Sequence, residues 1–178
     1  KVKPVYNVLA DGAELGAGEA VDGDVYRFYR REFHVQGPHV RPFLRRNGAT
    51  FNSNRWCIYG DSGVDYLFEL KGRRFLDFKV DLPVVHYSKG AVKISVSSDG
   101  KDWNEIAECG KRDIFSAAAA AGIFPAERVY LRVSGVGGTS LQTGFPRVTA
   151  RIDGTRLRAA GFTRYVDEKS GDTVCEVG

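Results

Sequence analysis

Rings and hydrogen-bonding side chains are interleaved in the stretch that holds Asn52, Asn54, Arg55, Trp56, Tyr59 and Asp61. A sugar presents apolar C–H faces and polar edges. A site for it therefore pairs a ring platform with amide, carboxylate or guanidinium partners. That mix makes Asn54, Arg55, Trp56 and Tyr59 candidate ligand-binding residues, with Tyr26, Tyr29 and Tyr66 as further rings. The alternative for Trp56 and Tyr59 is a place in the core at the start of a strand. A second patch of the same chemistry, His86-Tyr87-Ser88-Lys89, is expected at a strand-to-strand turn. There His86 and Tyr87 join the candidate set, with a solvated loop as the alternative.

Between Tyr26 and Arg55 the chain carries seven arginines, Arg27, Arg30, Arg31, Arg41, Arg45, Arg46 and Arg55, against one acid, Glu32. The whole chain has a formal net charge of only +4, so the remainder is slightly acidic. Three readings compete for this basic patch. Charged strand edges resist edge-to-edge pairing. Guanidinium forks match the sulfates or carboxylates of an anionic polysaccharide. Arginines with rings also suit nucleic acid, but no recognition-helix pattern accompanies them, so no nucleic-acid partner is expected.

Signatures of enzymatic chemistry are missing. His34 and His39 are five apart in a proline-bounded stretch, and His86 stands alone, so no H-E-x-x-H pair exists. No nucleophile elbow, P-loop or dinucleotide fingerprint occurs. Gly135-Val136-Gly137-Gly138 is glycine-rich but lacks the P-loop lysine, and reads as a turn. Asp22-Gly23-Asp24 offers hard oxygens in a flexible turn, so Asp22 and Asp24 are weak candidates for calcium against a solvated acidic loop. Otherwise no cofactor is expected. The cysteines Cys57, Cys109 and Cys175 are odd in number and none has zinc-ligand spacing. Small buried apolar roles are expected for them, with one long-range disulfide as the alternative.

These residues need a scaffold, and 178 residues suffice for one domain spanning 1–178. A chain of this size buries roughly 70% of its unfolded surface without staples. Hydrophobic residues are 43% and charged residues 27%, which excludes a disordered or collagenous chain. No window is apolar enough for a transmembrane helix. The sequence contains no Met and opens at Lys1, as expected of a processed chain or an excised domain.

The dominant period is two. Val64, Tyr66, Phe68 and Leu70 share one face; so do Leu76, Phe78, Val80 and Leu82. Val92, Ile94 and Val96, then Val129, Leu131 and Val133, then Val148, Ala150 and Ile152 repeat the pattern. Such alternation predicts half-buried antiparallel strands. Asp99-Gly100, Lys71-Gly72 and Ser88-Lys89-Gly90 punctuate them as turns. Segments 162–166 and 173–177 around Ser170-Gly171-Asp172 predict a terminal hairpin. One short helix is expected, capped by Asp113, running through Ala117–Ala121 and stopped by Gly122. The N-terminal third is least patterned. Tyr26, Phe28, Arg30 and Glu32 alternate with Val25, Arg27, Tyr29, Arg31 and Phe33, so rings and charges fall on both faces. The expected class is all-β, a mostly antiparallel β-sandwich.

The run Val92-Lys93-Ile94-Ser95-Val96-Ser97-Ser98-Asp99-Gly100-Lys101-Asp102-Trp103 resembles the galactose-binding-domain-like jelly-roll superfamily of discoidin domains and many carbohydrate-binding modules. In that superfamily a strand enters an S-x-D-G-x-x-W turn and another strand follows, here through Ile106 and Ala107. Arg128-Val129-Tyr130-Leu131-Arg132-Val133 is similar to a later strand of the same fold, and 144–152 to the final one. The resemblance covers roughly half the chain. It implies a jelly roll, with Trp103 covering the sandwich edge. The terminal disulfide and membrane-insertion spikes of discoidin domains have no counterpart here.

The expected function is a non-catalytic carbohydrate-binding module of a secreted or cell-surface multidomain protein, binding a glycan, with an anionic glycan as the match for its basic stretch. The alternatives are a protein-interaction or structural β-sandwich, and a polysaccharide hydrolase or lyase on the same scaffold.

Overall fold

A computed structural model describes residues 2–9, 13–29, 40–153, 159–167 and 173–177, with side chains for 13–29 and 40–153. Arg30, Arg31, His34 and His39 lie outside the described residues, and so does the Cys175 side chain.

The fold is all-β and antiparallel. The strands are β1 (Val2–Leu9), β2 (Glu14–Leu15), β3 (Glu19–Asp22), β4 (Val25–Phe28), β5 (Phe43–Asn47), β6 (Thr50–Asn52), β7 (Arg55–Tyr59) and β8 (Gly63–Glu69). They continue as β9 (Lys79–Ser97), β10 (Asn104–Cys109), β11 (Ile114–Ala118), β12 (Arg128–Thr143), β13 (Arg147–Arg151), β14 (Ala159–Asp167) and β15 (Thr173–Val177).

The two long strands organise the rest. The first half of β9 lies between β13 and β11, and β13 continues to β4 and β3. The second half of β9 lies between β10 and β12. Strand β12 is flanked further by β8 and β5 along its first half, and by β7 and β6 along its second. The sheet curls so that its inner rows meet in one apolar core. Phe68 of β8 sits edge-on to Tyr26 and Phe28 of β4, and Phe78 packs on Phe68 at 5.3 Å between centroids. A smaller ladder, β15-β14-β1-β2, pairs the two ends of the chain, with β14 and β15 forming the expected hairpin.

Alternation placed most inward residues correctly. Tyr66, Phe68, Val80, Leu82, Ile94, Leu131, Val148 and Ile152 are all buried. Tyr26 and Phe28 resolve the ambiguous N-terminal strand: both are buried, and Arg27 faces out. Leu76 departs from its expected face, because the strand begins only at Lys79 and Phe75 takes the inward place.

Three expectations are corrected. The alanine-rich segment is not a helix: Ile114–Ala118 pairs with Pro83 to Lys79 of β9, and only a 3₁₀ turn, Ala121–Ile123, follows. The Ser116 hydroxyl donates to Asp81 at 2.6 Å, and the open edge of β9 outweighs local alanine propensity. Ser88-Lys89-Gly90 and 135–138 are not turns between strands. They are bulges inside β9 and β12, where Val136 pairs with Ala91 and Ser140 with Lys89. The Thr139 hydroxyl fills that bulge, accepting the Val136 N–H at 2.8 Å. Gly90 has φ of 75°, and a Cβ there would lie 2.6 Å from the Thr139 Cα, so only glycine fits.

A buried charged knot ties the irregular N-terminal third to the core. The Glu19 carboxylate accepts the Gly16 N–H and the Tyr26 hydroxyl, each at 2.6 Å. Arg41 donates both Nε and Nη2 to it, and Nη2 also to the Glu69 carbonyl. Burial works against the Arg41 charge, but the Glu19 hydrogen bonds and charge outweigh it and hold the guanidinium protonated.

Candidate functional site

Strand β7 separates the candidate residues by parity. Trp56 and Ile58 point inward, and Arg55, Cys57 and Tyr59 point outward. Trp56 is 0% exposed. Its ring stacks on Phe43 at 5.5 Å, and its Nε1–H donates to the Tyr66 hydroxyl at 2.8 Å. Trp56 is therefore a core ring and no platform for a surface ligand. Tyr59 is 52% exposed, with its backbone N–H held by the Ser62 hydroxyl at 2.9 Å.

The neighbouring strands extend the outer face. Ser140 lies opposite both Tyr59 and Lys89; Gln142 lies opposite both Cys57 and His86. Arg55 crosses to this row, donating Nη1 to the Gln142 side-chain oxygen at 3.1 Å. Its Nε donates to Asn54 at 2.8 Å, at the tip of the β6–β7 hairpin. Thus Asn54, Arg55, Tyr59 and His86 are brought onto one face, with Gln142 at its centre. Tyr59 and His86 stand on strands two spacings apart, about 10 Å. No carboxylate belongs to these rows, whose charged members are Arg55 and Lys89. Tyr87 is not part of the group: its pairing with Leu141 puts it on the opposite face of the sheet, where it is 36% exposed.

The basic stretch does not form one cationic surface among its described members. Arg41 is committed to Glu19. Arg27 lies on β4, 3.8 Å from Asp22. Arg45 and Arg46 lie on β5, where Arg45 donates Nε to Asp65 at 2.9 Å. Asp65 is 1% exposed and takes a second, bidentate arginine, Arg132, at 2.9 and 3.0 Å. Burial would raise its pKa, but hydrogen bonds from Arg132 and Arg45 outweigh that and hold the carboxyl below its ordinary value. Arg132 in turn lies 3.8 Å over the Trp103 ring. Trp103 therefore caps an ion-paired row on the outer sheet face. An open groove of about 530 Å³ runs beside it, lined by Asn47, Asp61, Arg132 and Ser134.

The turn before Trp103 is built as its residues demand. Asp99 Oδ1 accepts the N–H of Lys101 and Asp102 at 2.8 and 2.9 Å, and the Ser97 hydroxyl donates to it at 2.8 Å. Those backbone donors pull the Asp99 carboxyl down to about 2.

Among the described residues no group of three or more His, Cys, Asp or Glu is placed to hold a metal. Asp22 and Asp24 flank the β3–β4 hairpin turn, where Asp22 is paired with Arg27. Cys57 and Cys109 are free and buried. No described helix is long and apolar enough to cross a membrane.

A larger cleft escaped the sequence reading. It measures about 890 Å³ and is bordered by Glu14, Lys71, Arg73, Arg74, Glu127 and Arg128. Its only linear signal was Lys71-Gly72-Arg73-Arg74, three cations around a turn glycine. Compared with known protein families and with curated proteins, the chain matches none.

Proposed function

We propose that this chain is a non-catalytic carbohydrate-binding module of the jelly-roll type, working in a secreted or cell-surface protein. The observation that carries the reading is the shared outer face of Asn54, Arg55, Tyr59 and His86. An exposed ring, a fixed guanidinium, two amides and an imidazole lie within reach of one short saccharide there. Arg55 is held by Asn54 and Gln142, so little side-chain freedom is lost on binding. With Arg55 and Lys89 present and no acid in the rows, the face favours a saccharide that carries carboxylate or sulfate.

The test is calorimetric titration with neutral and acidic oligosaccharides. An acidic oligosaccharide binds, and its affinity falls as salt rises. Tyr59→Ala weakens it about tenfold, the loss expected from ~1.4 kcal/mol of ring contact. Arg55→Ala reduces both the affinity and its salt dependence. Absence of any saccharide binding, or binding indifferent to both substitutions, overturns the proposal.

A further inference from the structure

The cleft beyond the end of β8 has its own chemistry, separate from the outer face of β7. At the end of β8, Glu69 lies opposite Arg128, the first residue of β12, and its carboxylate forms an ion pair with the Arg128 Nε at 3.1 Å. The chain then turns through Lys71 and Gly72, closed by the Arg73 N–H to the Leu70 carbonyl at 3.1 Å. Arg74 follows. Its backbone N–H and its Nε both donate to Asp153, each at 2.6 Å. Arg73 is 4% exposed and sits in the wall.

Two arginines are thus held by the same device. A carboxylate lies at the Nε side of each: Asp153 takes two hydrogen bonds from Arg74 and orients its guanidinium, and Glu69 pairs with Arg128. The paired terminal nitrogens are the edge that a ligand carboxylate or sulfate meets bidentately. Lys71 adds a mobile cation at the rim. Glu14 and Glu127 line the same space and supply acceptors. Five cations face four acids, so the cleft is nearly balanced and not a general anion trap. A ligand made only of anionic groups would meet Glu14 and Glu127 unfavourably. A ligand with one acidic group and several hydroxyls satisfies both sets: acid to the arginines, hydroxyl donors to the glutamates. About 890 Å³ is room for such a molecule, within the roughly 300–1,000 Å³ of small-molecule sites.

We propose that this cleft is a binding site for a polyhydroxylated organic monoanion, with uronic-acid chemistry as the simplest case, and that Arg74, Arg128 and Lys71 receive its acid group. The site is independent of the outer face formed by Tyr59 and Arg55.

The experiment is a ¹H–¹⁵N titration of the full chain with sodium glucuronate, set against glucose and sodium sulfate. Glucuronate shifts the backbone resonances of Gly72, Arg73 and Arg74 and the Nε–H resonances of Arg74 and Arg128. Glucose and sulfate each bind at least about tenfold more weakly, since each offers half of the match. Arg128→Gln weakens glucuronate by about 10–100-fold, the range for a lost charged hydrogen bond. Lys71→Ala, on an exposed turn, weakens it several-fold without touching the fold, and it decides the matter if Arg128→Gln does not fold. Tyr59→Ala leaves these shifts unchanged, which separates this site from the outer face. The proposal is overturned if the cleft resonances do not move, if sulfate or glucose matches glucuronate, or if Lys71→Ala binds as the parent does.

Discussion

Glu19→Gln is the sharpest test of how the N-terminal third is attached. The Glu19 side chain is 0% exposed and Arg41 is 19% exposed, so the carboxylate has no water to fall back on and the guanidinium has little. The carboxylate accepts from Gly16, from Tyr26 and twice from Arg41. Glutamine keeps the shape but replaces one acceptor oxygen with an NH2 aimed at groups that are themselves donors. It also leaves the Arg41 guanidinium buried without its counter-charge. Breaking a buried pair from one side costs about 3–5 kcal/mol. For a chain of this length that is a fall in melting temperature of roughly 6–20 °C. Urea unfolding of the parent, Glu19→Gln, Arg41→Gln and the double variant measures it. The double variant should be less destabilised than the sum, with a coupling above about 1 kcal/mol. A loss under about 1 kcal/mol for Glu19→Gln, or additive single losses, would refute the reasoning.

Further outcomes follow from the same geometry. Gly90→Ala places a side chain at positive φ and against Thr139, and should cost about 3 kcal/mol by urea unfolding, from left-handed strain plus overpacking. Asp99 has its folded pKa depressed to about 2 from an ordinary 3.8, so its contribution is complete above 3.8 and is lost as pH falls toward 2. Asp99→Ala should therefore flatten that part of the acid limb of a stability–pH profile; an unchanged limb would contradict the turn geometry. Burial pushes the Cys109 thiol up to about 12, with Glu108 adding to the effect. Iodoacetamide at pH 8 should leave Cys109 unlabelled until the protein unfolds, as read by peptide mass spectrometry; labelling of the native chain at the rate of a free thiol would contradict it.

Much of the scaffold was legible because one face of each strand is buried and the period of two records it. The Val64–Leu70 and Val129–Val133 alternations each point a row into the core, and both are read directly from residue type. The Asp99 turn was legible because the residues that cap it are adjacent in the chain. What sequence could not resolve is where alternation slips. Trp56 and Tyr59 are three apart in one short strand and fall on opposite faces, and a ring gives no sign of which way it points. The alanine run has helical propensity, and only the exposed edge of β9 makes it a strand. The large cleft joins residues of β2, the 70–74 turn, the start of β12 and the segment just after β13, which no linear pattern links.

One slip has a consequence for how the outer face can change. Thr143 pairs with Val84 and Gln142 with His86, so Val85 is passed over in the ladder. If Val85 took a place in the ladder instead, strict alternation would set Val85 opposite Gln142 and turn His86 onto the face of Leu141. Deleting Val85 would regularise the ladder and leave His86 opposite Gln142, so the outer face would keep its imidazole. With Val85 present, it is the bulge that stands an imidazole rather than a valine beside Gln142, while every flanking strand keeps its partner.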